Sequence, residues 1–319
     1  PLCIQWGGMH GEAYTNYAMQ ECDVMFAIGA RLDDRLTGAF DLFAPKAKIV
    51  HVDLDPAEMG KNLTIDTPVV GDALLTLKEL LPQIEPNEHP AWLAQIADWK
   101  SESAERDILA QETEELIAPY VMRELWHATN EGDATMVTDV GQHQMWEAQY
   151  FPHTKRRSLL TSGGLGTMGY ALPAAIGAQM GKKEEEVWVV AGDGGFQMTM
   201  VELSTVVQER LPVKIAIINN GYLGMVRQWQ DVFYNKRHAG TPLFNPDFIK
   251  LAEAYGIPAQ VVTRKEDVPT AIKTAQDYDG PYLLDFHVEE FTNVYPMVAS
   301  GKSNADMIRR AVTDAMEVE

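Results

Sequence analysis

VWVVAGDGGFQMTMVELSTVVQERLPVKIAIINN, running from Val187 to Asn220, reads as strand, turn, helix, strand and turn. Val187–Ala191 is an apolar, β-branched run of the kind that fills a buried parallel strand. At Gly192-Asp193-Gly194-Gly195, small residues allow a sharp turn and a close approach of backbone to ligand. Val201, Ser204, Thr205 and Gln208 share one amphipathic helix, closed by Leu211-Pro212. Val213–Ile218 is a second strand, ended by Asn219-Asn220-Gly221. Parallel strands joined by a helix bring both carboxyl ends to one sheet edge, where open α/β sheets bind ligands. Asp193 and Asn220 are therefore expected to face one another there. One carboxylate and one amide oxygen suit Mg²⁺, which is usually held by one or two carboxylates plus phosphate oxygens. The fold class predicted is α/β with doubly wound parallel sheets.

Composition bounds the rest. The chain has 319 residues, 46% hydrophobic and 23% charged, which fits a soluble globular protein of about two domains. No apolar run is long enough to span a bilayer, so no membrane partner is expected. Cys3 and Cys22 are too few for a disulfide framework, and a reducing, cytoplasmic setting follows as the expectation. A net charge of −20 argues against nucleic acid as a partner, since that binding needs Lys and Arg to neutralise phosphates.

Read in order, Gly7–Gly11 leads into a helix over 13–19 and a strand over 24–28. Gly29-Ala30-Arg31-Leu32-Asp33 follows, then a strand over 49–52 ending at Asp53-Leu54-Asp55. Strand ends carrying Gly, Arg and Asp suit ribose hydroxyls and a diphosphate; the same residues also read as plain turns and caps. A helix is expected over 73–84, a linker at 82–90, and an acidic helix over 91–117 whose Glu102, Glu105, Glu112, Glu114 and Glu115 form a solvated face. Beyond Pro119 the expectations are a helix over 120–129, a strand over 135–138, a loop or lid over 231–246, and a helix over 248–255 capped by Asn245-Pro246-Asp247. A strand, a helix and a strand over 259–288 complete the sheet, and a last helix is expected over 305–316. Gly164-Leu165-Gly166-Thr167-Met168-Gly169 matches a dinucleotide fingerprint, but the residue about twenty positions on is Val189, inside a strand, where an acid is needed. The domains expected are 1–85, a linker helix over 86–118, and 119–319.

Three blocks carry a resemblance: GQHQMWEAQ at Gly141–Gln149, TSGGLGTMGYALPAAIGA at Thr161–Ala178, and NNGYLGMVRQWQ at Asn219–Gln230. With GDG and NN, they resemble the catalytic, or large, subunits of the acetolactate synthase family, which depend on thiamine diphosphate (ThDP). The resemblance implies that 1–85 is a central, FAD-binding domain, incomplete at its start, and that 119–319 binds ThDP. It implies a diphosphate held by Gln142, His143, Gly194 and Gly195, and Mg²⁺ held by Asp193, Asn220 and the main-chain carbonyl of Tyr222. The aminopyrimidine edge would meet Gly166, Thr167 and Met168. Met225 would be the apolar wedge that bends the cofactor, and Trp229 the aromatic at the substrate channel. A structural FAD would lie along Gly7, Gly8, Met9, His10, Gly29, Ala30, Arg31, Leu32, Asp33, Asp53, Leu54, Asp72 and Ala73. Lone histidines such as His51, His89, His127, His153, His238 and His287 are read as core or solvated residues.

The chemistry implied is decarboxylation of pyruvate and carboligation to a second pyruvate or 2-oxobutyrate, an early step towards branched-chain amino acids. In the family the cofactor is activated by a Glu of a pyrimidine-binding domain in the neighbouring subunit, and no stretch here matches that domain. The expectation is therefore a C-terminal portion with little turnover alone, in a homodimer or homotetramer, with a possible small regulatory subunit. Two other readings stand beside it: a related ThDP enzyme such as glyoxylate carboligase, pyruvate oxidase or oxalyl-CoA decarboxylase, and a catalytically silent nucleotide-binding module.

Overall fold

The computed structural model describes residues 2–107 and 113–310. It divides into two units, one holding the described residues of Pro1–Ala110 and Tyr295–Glu319, the other those of Gln111–Val294.

In the first unit the chain runs α1 (Ala13–Glu21), β1 (Val24–Ile28), α2 (Asp34–Thr37), β2 (Lys48–Asp53), β3 (Thr67–Val70), α3 (Ala73–Leu80) and α4 (Pro90–Arg106). β1, β2 and β3 form one parallel sheet in that order, in register from Val24 opposite Lys48 and from Val50 opposite Thr67. Its small core gathers Ala27, Leu32, Phe43, Ile49 and Leu63. β3 was not expected from the sequence because it contains Pro68, which has no N–H to give a ladder; such a strand is tolerated at a sheet edge, where β3 lies.

The second unit continues with α5 (Ala118–Ala128), β4 (Thr135–Thr138), α6 (Gln142–Tyr150), β5 (Leu159–Thr161), α7 (Ala171–Gly181), β6 (Val187–Gly192), α8 (Asp193–Thr199), α9 (Leu203–Gln208), β7 (Lys214–Asn219), α10 (Gly224–Phe233), α11 (Phe248–Ala254), β8 (Ala259–Val262), α12 (Val268–Asp277) and β9 (Tyr282–His287). The six strands are all parallel, in the order β5-β4-β6-β7-β9-β8. β6 is buried along its whole length, as a near-continuous apolar run covered on both faces must be. Val187, Val189, Ile215, Ile217 and Leu283 pack with Leu172, Phe196, Leu203 and Phe248 into one core. The chain leaves β4 towards β5 on one side and returns to β6 on the other. The strand order therefore reverses at β4, which opens a crevice beyond the ends of β4 and β6.

Several expectations are corrected here. The helix placed over 91–117 ends at Arg106, where the Asp107 amide donates to the Ser103 carbonyl. Residues 113–117 are turn and extended chain, the intervening 108–112 lie outside the described residues, and a new helix begins at Ala118, with Pro119 in its first turn where no N–H is needed. α4 groups with the first unit, as do the described residues from Tyr295 onward. Helix α8 starts at Asp193 itself, so the Gly-rich turn is a helix's first turn. A 3₁₀ turn, Met200–Glu202, separates it from α9. α10 takes in 231–233, so the expected loop begins at 234, and the segment between α10 and α11 runs over 234–247. Residues 305–310 are not helical, because the Ile308 amide and carbonyl both bond Met297 across an antiparallel bridge; the rest of the helix expected to Met316 lies outside the described residues.

Candidate active site

Four strand ends and helix starts meet at the crevice. A cavity open to solvent is lined by Gly141, Gln142 and His143 after β4, Asp193–Gly195 after β6, and Asn220, Tyr222, Gly224 and Met225 after β7, with Met168 from the turn before α7. The predicted residues Asp193, Asn220, His143, Met168 and Met225 therefore share one cavity.

Asp193 is 1% exposed. Its Oδ2 accepts from Asn245 Nδ2 at 2.7 Å and from the Gly221 amide at 3.0 Å. Burial pushes its pKa up to about 6, against the pull of the hydrogen bonds from Asn245, Gly194 and Gly221. Asn220 Oδ1 accepts from the Tyr222 amide at 3.1 Å, a turn that sets the backbone after β7. Gln142 has both ends of its amide taken by protein groups. Its Nε2 donates to Gln228 Oε1 at 2.9 Å and to the Thr292 carbonyl at 3.1 Å, and its Oε1 accepts from Asn220 Nδ2 at 3.3 Å. His143 is different: it is buried, and its Nε2 has no hydrogen-bond partner. Burial lowers its pKa to about 4, despite the nearby Asp139 carboxylate, so the ring is neutral near pH 7 and has a ring nitrogen unengaged in the cavity wall.

Glycines shape the same wall. A Cβ on Gly192 would stand 2.9 Å from the His143 ring, and one on Gly194 2.8 Å from Leu223. A Cβ on Gly224 would strike Gln142 Oε1 and sit 2.8 Å from Asn220 Nδ2. The bare backbone is thus a steric requirement here. Gly166 and Thr167 lie exposed on the turn before α7, with the Gly166 amide bonded to the Ser162 carbonyl and the Thr167 amide to Ser162 Oγ, both at 3.0 Å. Trp229 sits half-buried on α10 against Phe233, with ring centroids 5.0 Å apart, and does not line the cavity.

Three residues were missed by sequence reading. Asp139 is 1% exposed and accepts from the Val140, Gly169 and Ala171 amides at 2.9, 2.9 and 3.0 Å. It thereby pins both the 166–169 turn and the start of α7 to the end of β4. Asn245 was read as a helix cap, but Asp247 caps α11 and Asn245 reaches Asp193 instead. Gln228 ties Gln142 to the Val294 backbone.

This donor set fits a diphosphate and a hard cation. An unengaged buried imidazole nitrogen, a Gly-lined wall and two side-chain oxygens, one of them a carboxylate, converge without a cluster of thiolates or imidazoles. Among the described residues no group of three His, Cys, Asp or Glu could hold a metal by itself, so further oxygens must come from backbone and ligand.

In the first unit, the predicted flavin residues Gly29–Asp33, Asp53, Leu54, Asp72 and Ala73 follow the carboxyl ends of β1, β2 and β3, and Gly7–His10 precede α1. Gly29, at φ +61 with open space where a Cβ would be, follows β1. Met9 donates its amide to the Arg35 carbonyl, and Gly8, at φ +104, is exchanged with Asn16 through two hydrogen bonds of 2.7 and 2.9 Å. His10 is buried, which lowers its pKa to about 4. The carboxylates also do the plain work of caps: Asp33 accepts from Leu36, Asp72 from Leu75 and Asp53 from Asp55, while Arg31 pairs with Asp33. The Ala30 and Leu32 carbonyls accept from His51 and Asn62. Leu54 is 71% exposed, and Ala73 opens α3.

Comparison with known families agrees with both units. Residues 139–286 match the C-terminal TPP binding domain of thiamine pyrophosphate enzymes, thiamine pyrophosphate being another name for ThDP. Residues 1–80 match the central domain of the same enzymes. The chain belongs to the thiamine pyrophosphate enzymes. Among curated relatives, this thiamine pyrophosphate-enzyme chain is 46% identical over 317 residues to the acetolactate synthase large subunit of Porphyra purpurea, covering 96% of this chain and 52% of that one. It is 43% identical over 314 residues to the acetolactate synthase isozyme 2 large subunit of Escherichia coli K12, with 97% and 56% covered. It is 45% identical over 311 residues to the large subunit of Corynebacterium glutamicum, with 94% and 49% covered. The chain thus spans about half the length of the curated relatives it matches.

Proposed function

We propose that the chain is the cofactor-binding part of an acetolactate synthase, joining the acetyl unit of pyruvate, after loss of CO₂, to a second 2-oxo acid, pyruvate or 2-oxobutyrate. The single observation that carries this is the convergence of Asp193, Asn220 and the unengaged His143 nitrogen on one cavity at the point where the strand order reverses. The relatives' names support the reaction class.

When bound, ThDP supplies the electron sink that a decarboxylation of a 2-oxo acid needs. The chain's own residues do the holding. Asp193, Asn220 and the Tyr222 carbonyl take Mg²⁺, which anchors the diphosphate. His143, neutral at physiological pH, would meet the phosphates with Gly194 and Gly195, where a neutral ring costs less to bury than a cation, while Gln142, its amide held by Gln228, Thr292 and Asn220, lines the same wall. Gly166, Thr167 and Met168 receive the aminopyrimidine, and Met225 with Met168 gives the cavity a deformable apolar wall against the ring system. Trp229 shields the substrate side. FAD would lie on the edge of the three-stranded sheet along Gly7–His10, Gly29–Asp33, Asp53, Leu54, Asp72 and Ala73. A homodimer or homotetramer and a small regulatory subunit complete the proposed assembly, the latter supported by the words "large subunit" in the relatives' names.

The test is product analysis with ¹³C-pyruvate, ThDP, Mg²⁺ and FAD, on the chain alone and on the chain expressed with the part of the relatives' length that it does not cover. The longer form should give labelled acetolactate and CO₂ without net flavin reduction, and the chain alone little product. Acetate with a reduced flavin, or free acetaldehyde, would replace the carboligation reading by that of an oxidase or a decarboxylase.

A further inference from the structure

We infer that Asn245 is a positioning residue for the Asp193 carboxylate, and that through it the 234–247 loop is coupled to cation binding. The inference rests on the reading of Asp193 as a cation ligand.

Asn245 spends both donors of its side chain on the site. Its Nδ2 gives one hydrogen to Asp193 Oδ2 at 2.7 Å and the other to Asn219 Oδ1 at 2.9 Å, while its Oδ1 accepts from Gln197 Nε2 at 2.9 Å. Those three bonds fix which end of the amide faces the carboxylate, since the reverse orientation would set two acceptors against each other. Asn219 is itself held, donating from Nδ2 to Asp285 Oδ1 at 3.0 Å. The Gly221 amide donates to the same Asp193 oxygen. With Oδ2 engaged twice, the carboxylate cannot rotate freely, and its orientation towards a cation is set by these two partners. Partners of this kind, one shell out from a metal ligand, set its orientation and are commonly worth about 10- to 100-fold in metal affinity.

Asn245 also belongs to a loop strapped to the same edge. The Leu223 amide donates to the Thr241 carbonyl at 2.9 Å, and the Leu243 amide to the Gly221 carbonyl at 2.8 Å. A cation that draws on Asp193 therefore acts on the loop at one defined side chain. No helix-capping role competes for that side chain, because Asp247 supplies the cap of α11.

The test titrates Mn²⁺, counted as free ion by electron paramagnetic resonance, into the full chain with saturating ThDP, for the unaltered protein, Asn245→Ala, Asn245→Leu and Asp193→Ala. The expected result is Mn²⁺ binding lost in Asp193→Ala and weakened about tenfold or more in both Asn245 variants, with ThDP affinity at saturating Mn²⁺ kept within about twofold. A purely structural role would lower both affinities together. Mn²⁺ affinity unchanged in the Asn245 variants, with Asp193→Ala still inactive in binding, would overturn the inference and leave the cofactor reading intact. Loss of the folded circular dichroism signal in both variants would also overturn it, making Asn245 a structural residue. No Mn²⁺ uptake by the unaltered chain, or equal uptake by Asp193→Ala, would remove the cofactor reading and this inference with it.

Discussion

Asp139, which no motif singles out, holds two segments of the site together. Its carboxylate is the acceptor for three main-chain amides from two separate segments, and a Cβ on Gly195 would run into it. Asp139→Asn keeps the shape but turns one acceptor into a donor facing an amide N–H. We expect a loss of about 1–3 kcal/mol in urea unfolding, together with weaker ThDP binding because the 166–168 turn is no longer pinned. Unchanged stability would show that water can replace the carboxylate. Glu12 gives a pH-dependent case. It is 2% exposed, and burial, with the Asp107 carboxylate adding to it and Lys100 opposing, raises its pKa from 4.5 to about 7. Below pH 4.5 it is protonated folded or unfolded and costs nothing. Between pH 4.5 and 7 the unfolded chain releases the proton while the folded chain keeps it, so stability falls as pH rises, by up to about 1.4 kcal/mol per pH unit. Above pH 7 the cost is constant. Glu12→Gln should therefore gain on the parent across that window, and parallel stability curves would contradict the assignment.

At the scale of elements, the strands and helix starts that frame the site were legible, and so was the loop before α11, but its contact with Asp193 was not. β1, β4 and the Val187–Asn220 unit announce themselves by β-branched runs ending in Gly, Asp or Asn, and Asp193 and Asn220 fall where those runs predict. Asn245 could not be seen, because its partner lies 52 residues away while the local text, Asn-Pro-Asp before a helix, offers a complete capping explanation. β3 was hidden by Pro68, and the break of 193–208 into two helices by residues that all tolerate a helix. The bland reading of Asp33, Asp53 and Asp72 as caps and turns is present in full, and it coexists with a place at the sheet edge suited to a nucleotide. α10 shows how an element can be anchored by two neighbours: Arg227, fully buried, donates to Asp231 and the Thr292 carbonyl at 2.6 and 2.9 Å, and Gln228 exchanges two bonds with Val294. Gln228→Leu strands the Val294 amide and takes one of its two acceptors from Gln142 Nε2. It should cost about 1–3 kcal/mol, read as a shift of the urea midpoint without a change in slope. A midpoint that does not move would mean that Arg227 and Gln142 hold the 291–294 segment without Gln228.

Across the whole molecule, two units each present a parallel sheet whose carboxyl edge carries Gly and Asp, and the family match assigns both to thiamine pyrophosphate enzymes. No described helix is long and apolar enough to cross a membrane. The central claim is that the second unit holds ThDP through a cation at Asp193 and Asn220. It is tested most directly by calorimetric titration of ThDP into the full chain with Mg²⁺ and with Mg²⁺ removed by chelation, repeated on Asp193→Ala. The account predicts binding that needs Mg²⁺ and that Asp193→Ala abolishes while the fold persists. ThDP binding of equal strength with and without Mg²⁺, or unaffected by Asp193→Ala, would contradict it.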